Sequence, residues 1–356
     1  MDRKRQANFE LLRIVAMFMI IILHYLVKGN VAVPFEDNDS IVNYFAWLLE
    51  AFCIVAVNCY VLISGYFMVE SVWKPGRVLS LLCQILFYAL LIPCVMMAVG
   101  AIPAGRMGIY DWIGCLLPVE TEHYWFATSY LLLYLFAPFL TVGIRQMEKR
   151  QLQMVLGMLL GCFSLGKTIV PVKLVTDSYG YSFGWFLCLF VTAGYIRRYG
   201  ISFLEKKSHA AFLYVFACLA IWGLAIASHW MAGTIDAFSY YENMPYTYNH
   251  LFCLAGAVAL FYLFKNSQVK EGQAAKVIRM LAPYTFGVYL LHEHVLVRYE
   301  WMRWLGVKQV AGTWRFVPHM IGCVLLVYVA GTVIDMIRTR LFGLVVSRGK
   351  NIGADR

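Results

Sequence analysis

The chain is long, strongly apolar and poor in charge. It has 356 residues, of which 61% are hydrophobic and 14% are charged, and its mean hydropathy is +0.67. Soluble domains carry roughly 25% charged residues, so this composition excludes an ordinary soluble domain and also the disordered, collagen-like and disulfide-rich classes. The ten cysteines are scattered singly without a CxxC pair, which favours apolar packing residues over a disulfide framework or a metal site.

The apolar residues are grouped in runs of membrane-spanning length. A hydrocarbon core about 30 Å thick is crossed by about 20 helical residues. The sequence therefore predicts an all-α transmembrane bundle in which residues 1–356 form one integral membrane domain. The first apolar run lacks a small-residue cleavage site and is expected to stay in the protein. The predicted spans are 9–28, 43–67, 78–100, 123–143, 152–170, 182–199, 210–230, 247–265, 282–299 and 316–337.

The basic residues alternate between the two sides of the predicted bundle. With the N-terminus inside, 21 of the 30 Lys and Arg residues fall on inner segments, eight fall on outer segments and Arg13 lies within a span. This excess follows the positive-inside rule and predicts that both termini are cytoplasmic. It also explains the net charge of +10 without nucleic acid, although contact of the inner face with anionic lipid or an anionic cofactor is an alternative.

The first span, FELLRIVAMFMIIILHYLV, keeps two ionisable residues inside an apolar helix. Arg13 and His24 are eleven residues apart, which brings them to within about 20° of one another at a rise of about 16 Å. The helix face then runs through Arg13, Met17, Ile20 and His24. Glu10 lies one turn before Arg13, where it can pair with the guanidinium. As structural alternatives, Arg13 extends to the inner headgroups and His24 packs against a neighbouring helix.

Two ionisable groups at different depths on one face point to a polar pathway, because such groups in a span are costly and usually face a cavity. Histidine can take a proton from a sugar hydroxyl as general base, or carry an acyl group itself. Arginine suits a phosphate or carboxylate. An inner Arg13 and an outer His24 therefore fit a reaction with an anionic cytosolic donor and an acceptor outside.

Four sequence blocks resemble the acyltransferase type 3 family of integral membrane O-acyltransferases. They are NFELLRIVAMFMIIILHY, VNCYVLISGYF at 57–67, HYWFATSYLLLYLFAPFL at 123–140 and YTFGVYLLHEHVLVR at 284–298. The resemblance implies transfer of an acyl group, often acetyl from acetyl-CoA, to an extracytoplasmic carbohydrate or similar acceptor. It also implies that His24 is the catalytic residue, that Arg13 places the donor or lines its path, and that Glu10 stands where an acidic residue is usual.

Within the second span, Ser64 and Asn58 are the polar candidates. Ser64 and the following Gly65 lie at about the depth of Arg13 and leave room for the pantetheine arm of a CoA donor, whereas close helix packing is the favoured alternative. Asn58 lies deeper and is placed to bond to another helix, either as an acceptor-binding or supporting residue or as a packing residue.

At the start of the fourth span, His123 and Trp125 are expected on the outer side. Aromatic residues there are typical of an interface belt. The functional alternative is a stacking platform for the acceptor sugar beside His24, for which Trp125 is the best candidate because its face stacks while its N–H donates.

The ninth predicted span brings Tyr289 and His292 to the bundle interior, one turn apart. There they are expected either to support the site or contact substrate, or to serve only helix packing. Glu293 and His294 are expected to point elsewhere if the helix continues. A metal site at His292 and His294 is disfavoured, because residues two apart in a helix diverge by about 200°.

Together these features predict an O-acyltransferase of the cytoplasmic membrane that uses His24 as general base. The donor is a cytosolic acyl-CoA, which acts as co-substrate, and no permanently bound cofactor, metal or nucleic acid is expected. The acceptor is a hydroxyl of an extracytoplasmic glycan or lipid-linked saccharide, while the acyl group and the oligomeric state stay open. The alternatives are a saccharide or lipid transporter and a non-enzymatic membrane sensor or assembly partner.

Overall fold

The computed structural model describes residues 5–121, 123–170, 178–235 and 238–354, and these ranges contain helices and no strand. The all-α prediction is confirmed. The basic residues before Arg5 that enter the charge pattern lie outside the described ranges. The helices are α1 (Ala7–Val27), α2 (Ile41–Cys53), α3 (Ala56–Met68), α4 (Pro75–Ala98), α5 (Ile109–Leu116), α6 (Trp125–Gln146), α7 (Lys149–Leu160), α8 (Gly166–Ile169), α9 (Phe183–Tyr199), α10 (Lys207–Ala232), α11 (Ser239–Asn243), α12 (Leu251–Lys265), α13 (Gln273–Leu281), α14 (Thr285–His292), α15 (Glu300–Trp304) and α16 (Phe316–Ala354).

Within the described ranges, eight helical segments are long and apolar enough to cross a membrane. Three of them join shorter elements: α2 and α3 form Ile41–Met68, a π-helical turn joins α7 to α8, and α11 and α12 form Ser239–Lys265. The chain is thus a multi-pass membrane protein. The count of ten spans and the cytoplasmic termini stay predictions. The eight segments are Ala7–Val27, Ile41–Met68, Pro75–Ala98, Trp125–Gln146, Lys149–Ile169, Lys207–Ala232, Ser239–Lys265 and Phe316–Leu344.

The two remaining predicted spans are not among these eight segments. The sixth is a helix, α9, whose 17 residues are at the lower end of the roughly 17–25 that cross a membrane. The ninth, predicted as one helix over 282–299, is wrong in its length, because α14 ends at His292. The cause is a local turn at His294, whose Nδ1 accepts the N–H of Leu296 at 3.1 Å and whose carbonyl accepts the N–H of Val297 at 2.8 Å. Such side-chain and backbone bonds compete with helix continuation.

Helix α1 is the central element of the bundle. It packs against α2, α3, α12, α13, α14 and α16, and residues such as Leu12 and Ile21 have no exposed surface. Its end is sharply defined. A Cβ on Gly29 would lie 2.2 Å from the carbonyl oxygen of Tyr25, and Asn30 has a φ of +52°, so the chain turns back at once. This turn fixes His24 in the last turn of α1.

A buried polar cluster centred on Asp335 fixes α16 against α4 and α14. Asp335 is fully buried, and its Oδ1 accepts from Gln84 at 3.1 Å, from the Tyr88 hydroxyl at 2.9 Å and from Arg338 Nε at 2.6 Å. A Cβ on Gly287 would come within 2.2 Å of the Asp335 side chain, so glycine permits the close approach of α14. These contacts hold α14, which carries His292, against its neighbours.

Candidate active site

The ends of α1 and α14 bring two histidines into direct contact. Nδ1 of His24 lies 3.0 Å from Nε2 of His292, and Nδ1 of His292 lies 2.6 Å from the carbonyl oxygen of Val288. A carbonyl oxygen can only accept, so His292 Nδ1 carries the proton and its Nε2, in the neutral ring, accepts from His24 Nδ1–H. The free lone pair of neutral His24 is therefore on Nε2, the nitrogen that a general base needs.

Glu293 also faces this pair. Its Oε1 lies 3.3 Å from Nδ1 of His24, and the same oxygen binds the Lys28 ammonium. Glu293 was expected to point elsewhere if the helix continued; α14 ends at His292, and the Glu293 side chain faces the pair. A carboxylate at this position favours a positive charge on His24, while Lys28 balances the buried negative charge. Lys28 was missed although it follows His24 by four residues and so shares its helix face.

His24 opens into a narrow cavity between α1, α3, α6 and α14. Three of the four residues of the predicted face, Met17, Ile20 and His24, line it, whereas Arg13 does not, so the cavity does not form the predicted polar pathway between Arg13 and His24. It also contains Trp125 and Tyr289, two of the predicted acceptor-side residues. Its volume is about 30 Å³, room for about two water molecules, so a thioester enters only when side chains move. The lining residues are Met17, Ile20, His24, Val57, Tyr60, Trp125, Phe126, Tyr248, Phe286 and Tyr289.

The arginine end of α1 is separate from this cavity. The cavity reaches Met17, one turn from Arg13, and Arg13 is not among its lining residues. The buried Nε of Arg13 makes no hydrogen bond, and its backbone carbonyl accepts from the Tyr60 hydroxyl at 2.6 Å. Glu10 does not form the predicted pair with Arg13; its carboxylate faces Arg5 at 3.7 Å, which reaches it from the chain before the helix. A role for Arg13 in donor binding stays a prediction.

Asn58 is fully buried and saturated with bonds to other elements. Its Nδ2 donates to the Tyr248 carbonyl at 2.8 Å, and its Oδ1 accepts from Trp185 Nε1 at 3.0 Å. It therefore ties α3 to α9 and holds Tyr248, which lines the cavity beside His24. These bonds favour the supporting role of Asn58 over direct contact with an acceptor.

Ser64 occupies a tightly packed position. Its Oγ accepts from the Tyr130 hydroxyl at 3.2 Å. At the adjacent Gly65, an added Cβ would lie 2.8 Å from the Cβ of Ala193, so α3 and α9 approach closely here. These contacts favour the packing interpretation of Ser64.

His123 and Trp125 lie at different places although they are neighbours in sequence. The His123 ring lies 4.5 Å from that of His294, its Nε2 is buried without a hydrogen bond, and its backbone carbonyl accepts from Arg298 at 3.4 Å. His123 is not among the residues that line the cavity. Trp125 lies in the cavity and stacks on Tyr248, with ring centroids 5.6 Å apart and an interplanar angle of 21°.

The three ligand-type side chains of the site are close enough for a metal ion to join them. The ligand atoms of His24, His292 and Glu293 all lie within 4.8 Å of one another. However, Lys28 already neutralises the carboxylate, and each histidine nitrogen at this point is used in a hydrogen bond with the other. These ligand atoms are already used within the protein, and no metal is assigned to them.

These features describe a multi-pass membrane protein with two hydrogen-bonded histidines, His24 and His292, and a buried cavity beside His24. The family model of the acyltransferase type 3 proteins, described as "Acyltransferase domain", matches residues 6–334. The chain belongs to this family and is a membrane acyltransferase. No curated protein and no solved structure matches the chain.

Proposed function

We propose that the protein moves an acyl group, acetyl in the simplest case, from a cytosolic acyl-CoA to a hydroxyl of an extracytoplasmic glycan or lipid-linked saccharide in the cell membrane. The observation that carries this proposal is the bond between His24 Nδ1 and His292 Nε2, with His292 held by the Val288 carbonyl. It leaves His24 Nε2 as a base at the edge of a cavity.

In the proposed reaction the acceptor hydroxyl attacks the thioester carbonyl carbon. A C–O bond forms, the C–S bond breaks, and the hydroxyl proton passes to His24 Nε2 and from there to the departing CoA thiolate. Glu293 lies 3.3 Å from Nδ1 of His24 and stabilises the transient imidazolium. Trp125 and Tyr289 are proposed to contact the acceptor, and Arg13 to attract the anionic donor.

The test is transfer of label from radioactive acetyl-CoA to a panel of saccharides by the purified protein in lipid nanodiscs. His24→Ala is expected to lower the transfer rate by about 10²- to 10⁴-fold, the usual contribution of a general base. The matched control is His209→Ala in the first turn of α10, where the ring bonds only to the Phe203 carbonyl.

Two results would overturn the proposal. One is full transfer by folded His24→Ala protein, because this variant lacks the proposed base. The other is saccharide or lipid transport that proceeds without any acyl donor and is unchanged in the same variant. Retained activity in His209→Ala shows that loss in the first variant is specific to the site.

A further inference from the structure

Tyr289 of α14 lines the His24 cavity and carries a hydroxyl group that makes no hydrogen bond to any residue that the structure describes. The side chain is only 5% exposed, so the hydroxyl is also shielded from bulk water. Burying a hydroxyl without a partner is costly, and folded proteins keep few such groups. A free O–H in the residue that walls this cavity is therefore available to a bound substrate.

Aromatic neighbours hold the Tyr289 ring in place. Its centroid lies 5.6 Å from that of Phe126, 6.1 Å from that of Phe286 and 6.3 Å from that of His292. Phe126 and Phe286 also line the cavity, and His292 bonds to His24. The hydroxyl and the His24 base are thus carried by one packed wall. A donor that is fixed before the reaction needs no reorganisation when charge develops beside it.

The start of α6 adds a second kind of donor to this wall. Within the described ranges, the backbone N–H groups of Trp125 and Phe126 donate to no acceptor, and the N-cap residue Tyr124 supplies no side-chain bond. The first N–H groups of a helix lack intrahelical partners and form the positive end of its dipole. The backbone of Phe126 lies beside the Tyr289 hydroxyl, although the two make no hydrogen bond. The two donors therefore meet at a place that favours a negative charge.

We propose that the Tyr289 hydroxyl and the Phe126 amide bind the acyl oxygen as it becomes negative in the tetrahedral intermediate. When the acceptor oxygen attacks, a C–O bond forms and the π electrons of the carbonyl move to this oxygen. They re-form the C=O bond as the C–S bond breaks, and the CoA thiolate then takes the proton from His24. Tyr289 keeps its own proton throughout. The inference rests on the proposed function and makes the proposed acceptor contact of Tyr289 specific, since the intermediate includes the acceptor oxygen.

The first experiment removes the hydroxyl and keeps the ring. Tyr289→Phe is expected to lower kcat for acetyl transfer at least about tenfold, approaching the roughly 10²- to 10³-fold loss of one oxyanion donor. Both KM values should stay within about twofold, because the bond strengthens only in the transition state. Tyr124→Phe is the matched control: its hydroxyl is also buried without a partner among the described residues, but Tyr124 does not line the cavity. Both variants should be as stable as the wild type, because each loses an unpaired buried hydroxyl.

The second experiment changes the acyl oxygen itself. In dithioacetyl-CoA a sulfur atom replaces the carbonyl oxygen and accepts hydrogen bonds only weakly. The intrinsic reactivity of the two donors is the same for every variant, so a changed rate ratio reports the contact between hydroxyl and oxygen. The ratio of the acetyl-CoA rate to the dithioacetyl-CoA rate is expected to fall at least about fivefold in Tyr289→Phe and to stay within about twofold in Tyr124→Phe.

Three results would overturn the inference and leave the proposed function standing, provided that transfer still depends on His24. They are an unchanged kcat in Tyr289→Phe, an unchanged rate ratio in that variant, and a raised KM for the acceptor with no loss of kcat, which would assign the hydroxyl to acceptor binding alone. Absence of acyl transfer by the wild-type protein would instead overturn the proposed function, and the inference with it.

Discussion

Among the residues that the structure describes, the buried polar clusters around Asp335 and around His24 differ in their bonding. At Asp335, one carboxylate oxygen accepts from three donors and the other accepts from Arg338 Nη2 at 3.1 Å. At His24, one ring nitrogen is bonded to His292, the neutral ring keeps a lone pair on the other, and the residue lines a cavity. Buried polar groups are normally matched, so the saturated cluster fastens helices and the one with a spare lone pair is suited to chemistry.

The sharpest test of this contrast is Asp335→Ala, which has the largest expected effect. Removing the carboxylate leaves Arg338, whose side chain is 11% exposed, without its buried partner, and this is expected to cost about 3–5 kcal/mol of unfolding free energy. Equilibrium unfolding in mixed micelles measures it, with the exposed Asp37→Ala as control. The folded fraction should keep its turnover number. A stable but inactive Asp335→Ala protein would place this cluster in the chemistry and break the comparison.

His292→Phe probes the other cluster. The ring is kept, but the acceptor for His24 Nδ1–H is lost, so the base is no longer fixed in one tautomer. We expect turnover to fall about 100-fold, within the range of general-base effects, with a small change in stability. Initial rates of acetyl transfer give the answer, and His209→Phe is the matched control. Activity within twofold of wild type would show that the histidine contact does not set the proton position.

Glu293→Gln tests the charge beside His24 at nearly constant shape. Loss of the carboxylate weakens stabilisation of the imidazolium and leaves Lys28 without its partner, so turnover should fall about tenfold. The double variant Glu293→Gln with Lys28→Met should lose less than the two single losses combined, because the residues act on each other. Additive losses would argue against the pair acting together. Glu300→Gln, at the exposed partner of Arg303, serves as control.

The smallest effect is expected at Ser64. Because Ser64 Oγ accepts one bond from Tyr130, Ser64→Ala should cost about 0.5–1.5 kcal/mol of stability and leave the KM for acyl-CoA within about twofold. A titration of acyl-CoA measures this, and Ser71→Ala is the control, since its hydroxyl bonds only to the Met68 carbonyl. A KM raised tenfold in Ser64→Ala alone would restore the pantetheine interpretation.

The sequence predicted the helical architecture and one side of the site well, because both depend on helical periodicity. The spacing of Met17, Ile20 and His24 places them on one face whatever surrounds them, and these three residues line the cavity, although Arg13 of the same face does not. Trp125 was found through its position at a predicted helix start.

The part that was missed depends on where a helix stops. Neither glycine nor proline marks the end of α14, and the turn at His294 arises from its own side-chain bond to Leu296. Extending the helical periodicity past His292 therefore predicted the wrong direction for the Glu293 side chain. The Glu10 partner was missed for a related reason, since Arg5 precedes α1 and has no helical register to α1 residues.

The tightness of the His24 cavity has a consequence for the membrane as a barrier. The proposed reaction joins a cytosolic donor to an external acceptor, and an open polar route between them would also conduct ions and protons. The His24 cavity, about 30 Å³ between aromatic walls such as Tyr60, Phe126 and Phe286, is too small to form such a route. We therefore expect the aromatic rings to limit ion leak, and a variant such as Phe126→Ala that widens the cavity should be judged by its ion leak as well as by its rate.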